Sequence, residues 1–314
     1  MQILLLGYSD IARRRVLPAL AAHGIVTIDV ASQNAAGVTL PDGVGGRVFR
    51  HYREAIAESN ADLVWISTVN SQHAELAQAA LDAGRDVVID KPATTSLDEA
   101  RGLVEIAAKR GRMVAEATVY PFHPQVAAAL RLFAEAGSSP TQLLAAFSFP
   151  ELPPANFRHD PDLGGGAFLD LGPYALSIGR VFFDDRPRQI LCQPITGDRG
   201  FSLLITYSEG RSLVGHFGTT TGYVNRLLLL GPHVSLTIDR AFTTPPRSIC
   251  RLEATVANVA RTIEVAPADS FAEFFRAVRI ALTQGDHQSF LATMLADAEA
   301  RELCRVAMAG ATAV

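Results

Sequence analysis

The amino-acid sequence predicts an α/β protein: an N-terminal, doubly wound parallel sheet of the Rossmann type, followed by an α+β domain on an open, largely antiparallel sheet. Three observations predict it. Apolar runs and helix-spaced segments alternate five times over residues 2–117, as in a parallel sheet covered by helices on both faces. Beyond residue 121 the alternation stops, and short strand-like segments separated by Gly, Asp, Pro or Ser take over. Finally, 314 residues, at roughly 150 per domain, accommodate two domains. The expected boundaries are 1–120 and 121–314, with the closing C-terminal helices able to pack back on the first domain.

Residues 2–6 run without polar alternation, as a strand buried on both faces does. Gly7 ends the run, Asp10 is a candidate helix N-cap, and Ile11, Ala12, Val16, Leu17, Ala19 and Leu20 recur at helical spacing. A second strand spans Ile25–Ala31. A helix at Tyr52–Ser59, a strand at Leu63–Thr68, a helix at His73–Ala83, a strand at Val87–Asp90, a helix at Leu97–Arg110 and a strand at Met113–Ala117 complete the first domain. After a helix at Gln125–Glu135, strands are predicted at Leu143–Phe149, Gln189–Pro194, Ser202–Tyr207, Ser212–Phe217, Arg226–Leu230 and Val234–Ile238. Helices are predicted at Gly166–Phe183, Ser270–Gln284 and Gln288–Met308.

Composition excludes several function classes. Lys and Arg number 28 against 32 Asp and Glu, a net charge of −4, so neither nucleic acid nor an anionic membrane is expected as the main partner. The opening apolar run is too short for a signal peptide, and no segment approaches the roughly 18 apolar residues of a membrane span. Cys192, Cys250 and Cys304 are widely spaced, odd in number and unlike a disulfide framework or a zinc pattern. A cytoplasmic protein is expected. No histidine spacing suggests a metal, and no G-x-S-x-G suggests a hydrolase.

Gly7-Tyr8-Ser9-Asp10-Ile11-Ala12 stands where a dinucleotide fold places G-x-G-x-x-G or G-x-G-x-x-A. Ser9 occupies the second glycine position, and Ala12 still permits close helix packing. Because the turn follows a buried strand and opens a helix, Gly7, Ser9, Asp10 and Ile11 are cofactor candidates. An acidic residue about 20 residues on would bind a ribose 2′-hydroxyl, but the second strand ends Val30-Ala31-Ser32-Gln33-Asn34, with Asp29 inside it. Ser32 and Gln33 tolerate a 2′-phosphate better than a carboxylate does, which favours NADP(H). The lack of an Arg there leaves NAD(H) open, and these residues are also ordinary turn formers. Thr68, Asn70, His73, Asp90 and Lys91, the last two in the run Asp90-Lys91-Pro92, stand at the carboxyl ends of the next two strands, the edge where open α/β sheets bind ligands, and are further cofactor candidates. Arg13, Arg14 and Arg15, being consecutive on a helix, point in different directions and read as a solvated face.

These residues resemble the glucose-fructose oxidoreductase, inositol dehydrogenase and rhizopine-catabolism (Gfo/Idh/MocA) oxidoreductases over nearly the whole chain. The family's E-K-P is similar to Asp90-Lys91-Pro92, its N-x-x-H to Asn70 through His73, and its G-G-G-x-x-x-D-x-G-x-H to Gly164-Gly165-Gly166 through Asp170, Gly172 and Tyr174. The resemblance implies a nicotinamide cofactor on the N-terminal domain and a substrate held between it and the open face of the C-terminal sheet. It also implies a partner subunit on the opposite face, hence a homodimer or homotetramer through that sheet. Two departures stand out: Asp90 shortens the usual Glu, and Tyr174 replaces the usual His. The tyrosine resembles the nucleotide-sugar 3-ketoreductases of deoxysugar pathways, in which Lys and Tyr flank the substrate carbonyl. The stretches 12–20, 122–125 and 156–161 fit that subgroup.

The chemistry points the same way. Alcohol oxidation at neutral pH needs a base near pH 7, as His is, whereas Tyr, with an ordinary pKa of about 10, is protonated and donates. The expected activity is therefore reduction of a ketone on a sugar or nucleotide-linked sugar. Tyr174 would be the proton donor, Lys91 would polarise the carbonyl, and Asp170 would support them or bind a sugar hydroxyl. Arg158 and His159 are candidates for a substrate diphosphate, and His73 for either the nicotinamide region or a structural hydrogen bond. The alternatives are a polyol or sugar dehydrogenase running oxidatively and a non-catalytic nicotinamide-cofactor-binding protein.

Overall fold

The computed structural model describes residues 1–195 and 197–311. They divide into two compact units, one made of Met1–Thr118, Asp162–Gly164 and Phe271–Ala298 and the other of the remaining described residues.

The first unit is a six-stranded parallel sheet in the order β3-β2-β1-β4-β5-β6. The strands are β1 (Ile3–Leu6), β2 (Ile28–Ala31), β3 (Val48–Phe49), β4 (Leu63–Ile66), β5 (Asp86–Asp90) and β6 (Val114–Ala117). Helices α1 (Leu17–Ala22), α2 (Tyr52–Glu58), α3 (His73–Asp82) and α4 (Leu97–Arg110) connect them. Every residue of β1 and β4 is buried, which accounts for their uninterrupted apolar sequences. Helix α4 is closed at both ends. Ser96 and Glu99 form a reciprocal capping box, and Gly111 at φ 63° takes the left-handed C-terminal position, a cap worth about 1 kcal/mol.

Three details differ from the sequence reading. β3 is a two-residue strand, too short to leave a pattern. Thr27 makes only an isolated bridge to Gly45, so β2 starts three residues later than predicted. The first helix is capped by Ser9 rather than Asp10: the Ala12 N–H donates to Ser9 Oγ at 3.0 Å. Asp10 instead faces outward and pairs with Arg13 at 2.9 Å and Arg14 at 3.1 Å. That helix opens with a π-helical turn, Ala12–Val16, just before Pro18, whose ring has no N–H for the ladder.

The second unit is an eight-stranded sheet in the order β14-β13-β12-β11-β7-β10-β9-β8. Its strands are β7 (Gln142–Ser148), β8 (Gln189–Ile195), β9 (Gly200–Thr206), β10 (Ser212–Gly218), β11 (Val224–Leu230), β12 (Val234–Asp239), β13 (Cys250–Val256) and β14 (Val259–Val265). All neighbours are antiparallel except β7 and β10, which run parallel. One face packs with α5 (Pro124–Glu135), α6 (Ala167–Phe183) and the end of α8 (Gln288–Ala311) around Phe147, Phe201, Phe217 and Phe242. The other face exposes Leu144, Leu191, Leu204 and Val214 over β7–β10. Towards β14 that face turns charged, with Arg226 paired to Asp239 and Arg251 to Glu264.

β13 and β14 were absent from the sequence reading. They form a hairpin turning through Ala257 and Asn258, at φ 48° and 66°. Both residues therefore sit in the left-handed region that a two-residue primed turn demands, usually signalled by Asn-Gly. Buried Cys250, Leu252 and Ala254 alternate with exposed Arg251, Glu253 and Thr255 in β13, a period-2 pattern that was legible. β14 is almost wholly exposed and carries no such pattern. The remaining helix, α7 (Ser270–Gln284), belongs to the first unit from Phe271 onward, and within that unit Phe274 and Phe275 stand against Trp65, ring centroids 6.0 and 6.4 Å apart. Among the described residues no helix is long and apolar enough to cross a membrane.

Candidate active site

Lys91 follows the last residue of β5 on a turn whose neighbouring groups are each held by a different buried side chain. Before it, the Asp90 carboxylate accepts hydrogen bonds from Trp65 Nε1 at 2.9 Å and Ser67 Oγ at 2.5 Å. After it, the Pro92 carbonyl lies 2.8 Å from His73 Nδ1, and the Ala93 N–H donates to Glu116 Oε2 at 2.9 Å. Glu116 is fixed in turn by Thr118 Oγ1 at 2.7 Å. Burial raises the Asp90 pKa above the usual carboxylate value, opposed by the bonds from Ser67 and Trp65 and by the charges of His73 and Lys91.

His73 is completely buried, and its second ring nitrogen lies 3.2 Å from the Thr68 carbonyl. Both nitrogens thus face backbone carbonyls, tying the loop after β4 to the lysine turn. Asn70 is also buried, its Nδ2 donating to the Gly164 carbonyl at 2.8 Å. Both of these cofactor candidates hydrogen-bond to backbone carbonyls of neighbouring loops. Glu116 escaped the sequence reading; a carboxylate inside an otherwise apolar strand was the signal available.

The glycine turn has the form a dinucleotide site needs. Gly7 adopts φ +91°, and a Cβ there would stand 2.4 Å from the Ser67 carbonyl oxygen, so both conformation and space require glycine. Ser9 folds its hydroxyl back into the turn, where it accepts from Ala12 and shares a 2.7 Å hydrogen bond with Ser67 Oγ. A serine is thereby accommodated at a glycine position. Asp10 and Ile11 lie exposed beside it and Thr68 is half-buried. At the tip of β2, Ser32 is buried and Gln33 exposed. Asp29 is 1% exposed and accepts from Gln2, Ser59 and the Arg47 backbone, so no carboxylate is offered at the tip. These residues fit a nicotinamide dinucleotide.

In the second unit, Asp170 and Tyr174 are one turn apart on α6. Asp170 is buried and paired with Arg158 Nε at 3.0 Å, and the Arg158 guanidinium lies over the Phe157 ring. Arg158, His159 and Asp170 line one polar cavity of about 180 Å³ with Glu151, Arg199 and Thr219. Arg199, paired with Glu151 at 3.2 Å, was not foreseen because its sequence neighbourhood carries no motif. Gly166, at φ +103°, leaves room for the Asp198 carboxylate, which would lie 1.8 Å from a Cβ. The Tyr174 ring is half-buried among Phe147, Phe242 and Tyr120, with centroids 5.3, 5.7 and 6.2 Å away.

Among the described residues no group of three or more His, Cys, Asp or Glu is placed to hold a metal ion. Residues 1–118 match the family model described as oxidoreductase family, NAD-binding Rossmann fold, and residues 139–237 match that of the GFO/IDH/MocA C-terminal domain. The chain is 28% identical to a dTDP-3,4-didehydro-2,6-dideoxy-alpha-D-glucose 3-reductase of Streptomyces antibioticus, over 89% of this chain and 88% of the relative. It is 30% identical to the Streptomyces violaceoruber protein of the same name, over 79% and 75%. A crystal structure of a 3-ketoreductase from Actinomadura kijaniata in complex with NADP and TDP-benzene is similar at a TM-score of 0.89 and 27% identity, covering 98% of this chain and 97% of that one.

Proposed function

The chain belongs to the Gfo/Idh/MocA oxidoreductases, and we propose that it reduces a ketone on a sugar or nucleotide-linked sugar with NADPH. Tyr174 donates the proton and Lys91 polarises the carbonyl. The observation that carries this reading is the lysine turn, whose carboxylate, carbonyl and amide neighbours are each gripped by a buried partner. Such a grip on a single cation suits a group that must meet charge as it develops. Similar proteins named as reductases of a dTDP-linked didehydro sugar support the substrate class, and the NADP complex of a similar 3-ketoreductase supports the cofactor.

When bound, the nicotinamide supplies the hydride. Gly7, Ser9, Asp10, Ile11, Ser32, Gln33 and Thr68 form the edge that would hold the cofactor, while Asn70, His73 and Asp90 brace that edge from within. The Lys91 ammonium hydrogen-bonds the ketone oxygen and stabilises the negative charge that grows on it. The Tyr174 hydroxyl delivers its proton to that oxygen. Arg158 and His159 take the diphosphate of a nucleotide-linked substrate, with Asp170 fixing Arg158 or binding a sugar hydroxyl. The protein works in the cytoplasm as a homodimer or homotetramer. Its exposed apolar strip at Leu144, Leu191, Leu204 and Val214 is the surface that association would cover.

The test is reduction of 3-keto nucleotide sugars followed by NADPH consumption and product analysis, alongside fluorescence titration of NADPH and NADH. Lys91→Ala and Tyr174→Phe should each lose roughly 100-fold or more in kcat while binding NADPH within about twofold of the parent. Normal turnover in either variant removes that residue from the mechanism, and no binding of either dinucleotide removes the activity itself.

A further inference from the structure

We infer that Arg50, with His51 beside it, reads the 2′-phosphate of NADPH, so that cofactor choice is made from the end of β3 rather than from the tip of β2. This rests on the reading that a nicotinamide dinucleotide binds the first unit, and adds which residues tell its two forms apart.

In folds of this type the group that discriminates the adenosine ribose stands at the end of the second strand: a carboxylate for a 2′-hydroxyl, or a nearby Arg for a 2′-phosphate. Here the tip itself carries neither. Ser32 is buried, Gln33 is neutral, and Asp29 is fully engaged inside the strand. Nothing at the tip repels an anion, and nothing there attracts one.

The neighbouring strand supplies what is missing. β3 runs parallel to β2 with Val30 opposite Val48 and Ala31 opposite Phe49, and the Ser32 N–H donates to the Phe49 carbonyl at 3.0 Å. Arg50 therefore leaves the sheet level with Ser32 and Gln33, at the same carboxyl edge. A cavity of about 280 Å³ opens there, lined by Gln33, Arg50, His51, Arg53, Gln72 and Glu75 among others.

Charge bookkeeping within the cavity singles out one cation. Arg53 is ion-paired with Glu75, which neutralises the one carboxylate facing the cavity. Arg50 makes no ion pair or side-chain hydrogen bond among the described residues, and the His51 side chain does not cap α2, although it stands at the helix N-cap. An exposed guanidinium lining such a cavity can offer two parallel N–H donors to a phosphate. NADH, which has a hydroxyl at that position, gains nothing from it.

Equilibrium titration of the full chain with NADPH and NADH, and competition by adenosine 2′,5′-bisphosphate against adenosine 5′-monophosphate, tests this without recourse to turnover. Arg50→Ala should weaken NADPH and the bisphosphate by about 10- to 100-fold, the range of a charge-assisted pair, and leave NADH and the monophosphate within about twofold. Arg50→Lys should fall between, His51→Ala should cost less, and Arg53→Ala should leave the NADPH-to-NADH ratio unchanged. An unchanged ratio in Arg50→Ala, or a ratio moved by Arg53→Ala alone, overturns the assignment while the proposed activity stands. If the parent chain binds neither dinucleotide, both fall.

Discussion

Lys91 and Tyr174 are held by opposite kinds of force. The lysine rides on a turn pinned by directional hydrogen bonds from Trp65, Ser67, His73 and Glu116. The tyrosine ring packs among the rings of Phe147, Phe242 and Tyr120. A hydrogen-bonded turn has little give and fails when one atom is removed. A ring cluster depends on filled volume as much as on ring geometry, and it fails when volume is removed. Deletions in the aromatic cluster should therefore appear first as lost stability, and deletions around the lysine turn first as lost rate.

The largest effect on stability is expected from Phe242→Ala. This side chain is 2% exposed and packs with Phe147, Phe217, Tyr120 and Tyr174, so truncation should cost about 3–5 kcal/mol in urea unfolding. Asp90→Ala comes next. It leaves Trp65 Nε1 and Ser67 Oγ without their acceptor, at a cost of about 1–3 kcal/mol. Its signature should be kinetic, with kcat falling by up to about 100-fold, KM for the dinucleotide nearly constant, and partial recovery in Asp90→Asn. A stable Phe242→Ala, or an Asp90→Ala that loses stability with normal kcat, would erase the contrast.

Two carboxylates sharpen it through pH. Burial first of all raises the pKa of Asp90 in the first unit, so the native state holds that proton more tightly than the unfolded chain. The associated stability is present at low pH and lost as pH rises from 3.8 through the raised value. Asp185 in the second unit shifts the other way, chiefly through its hydrogen bond from Ser208. Its contribution is present above 3.8 and lost as pH falls through the lowered value. Urea midpoints measured against pH should lose the first slope in Asp90→Asn and the second in Asp185→Asn; parallel curves for both variants would contradict this. The smallest effect belongs to Ser9→Gly, which restores the usual glycine but removes the hydroxyl shared with Ala12 and Ser67. It should cost about 0.5–1 kcal/mol.

The parallel sheet was legible because strands buried on both faces are apolar without interruption, as Ile3–Leu6 and Leu63–Ile66 are. Lys91, Asp170 and Tyr174 stood out as candidates because they stand in ordered motifs. The structure supplied the partners that no local pattern encodes. Glu116 reaches the lysine turn from the adjacent strand, and Arg50 is brought to Gln33 by strand pairing alone. The β13–β14 hairpin was missed because its turn uses Ala257 where a glycine or asparagine usually announces one.

Among the described residues the eight-stranded sheet also has two unpaired margins. On one lies β8, which contains Pro194 and so lacks one backbone donor. On the other lies β14, studded with Arg261 and Glu264. Proline and charge at the rims discourage strand-by-strand extension into fibrils. Growth in the plane of the sheet is thereby blunted at both rims, so an exposed β-edge is not left as a template for further strands.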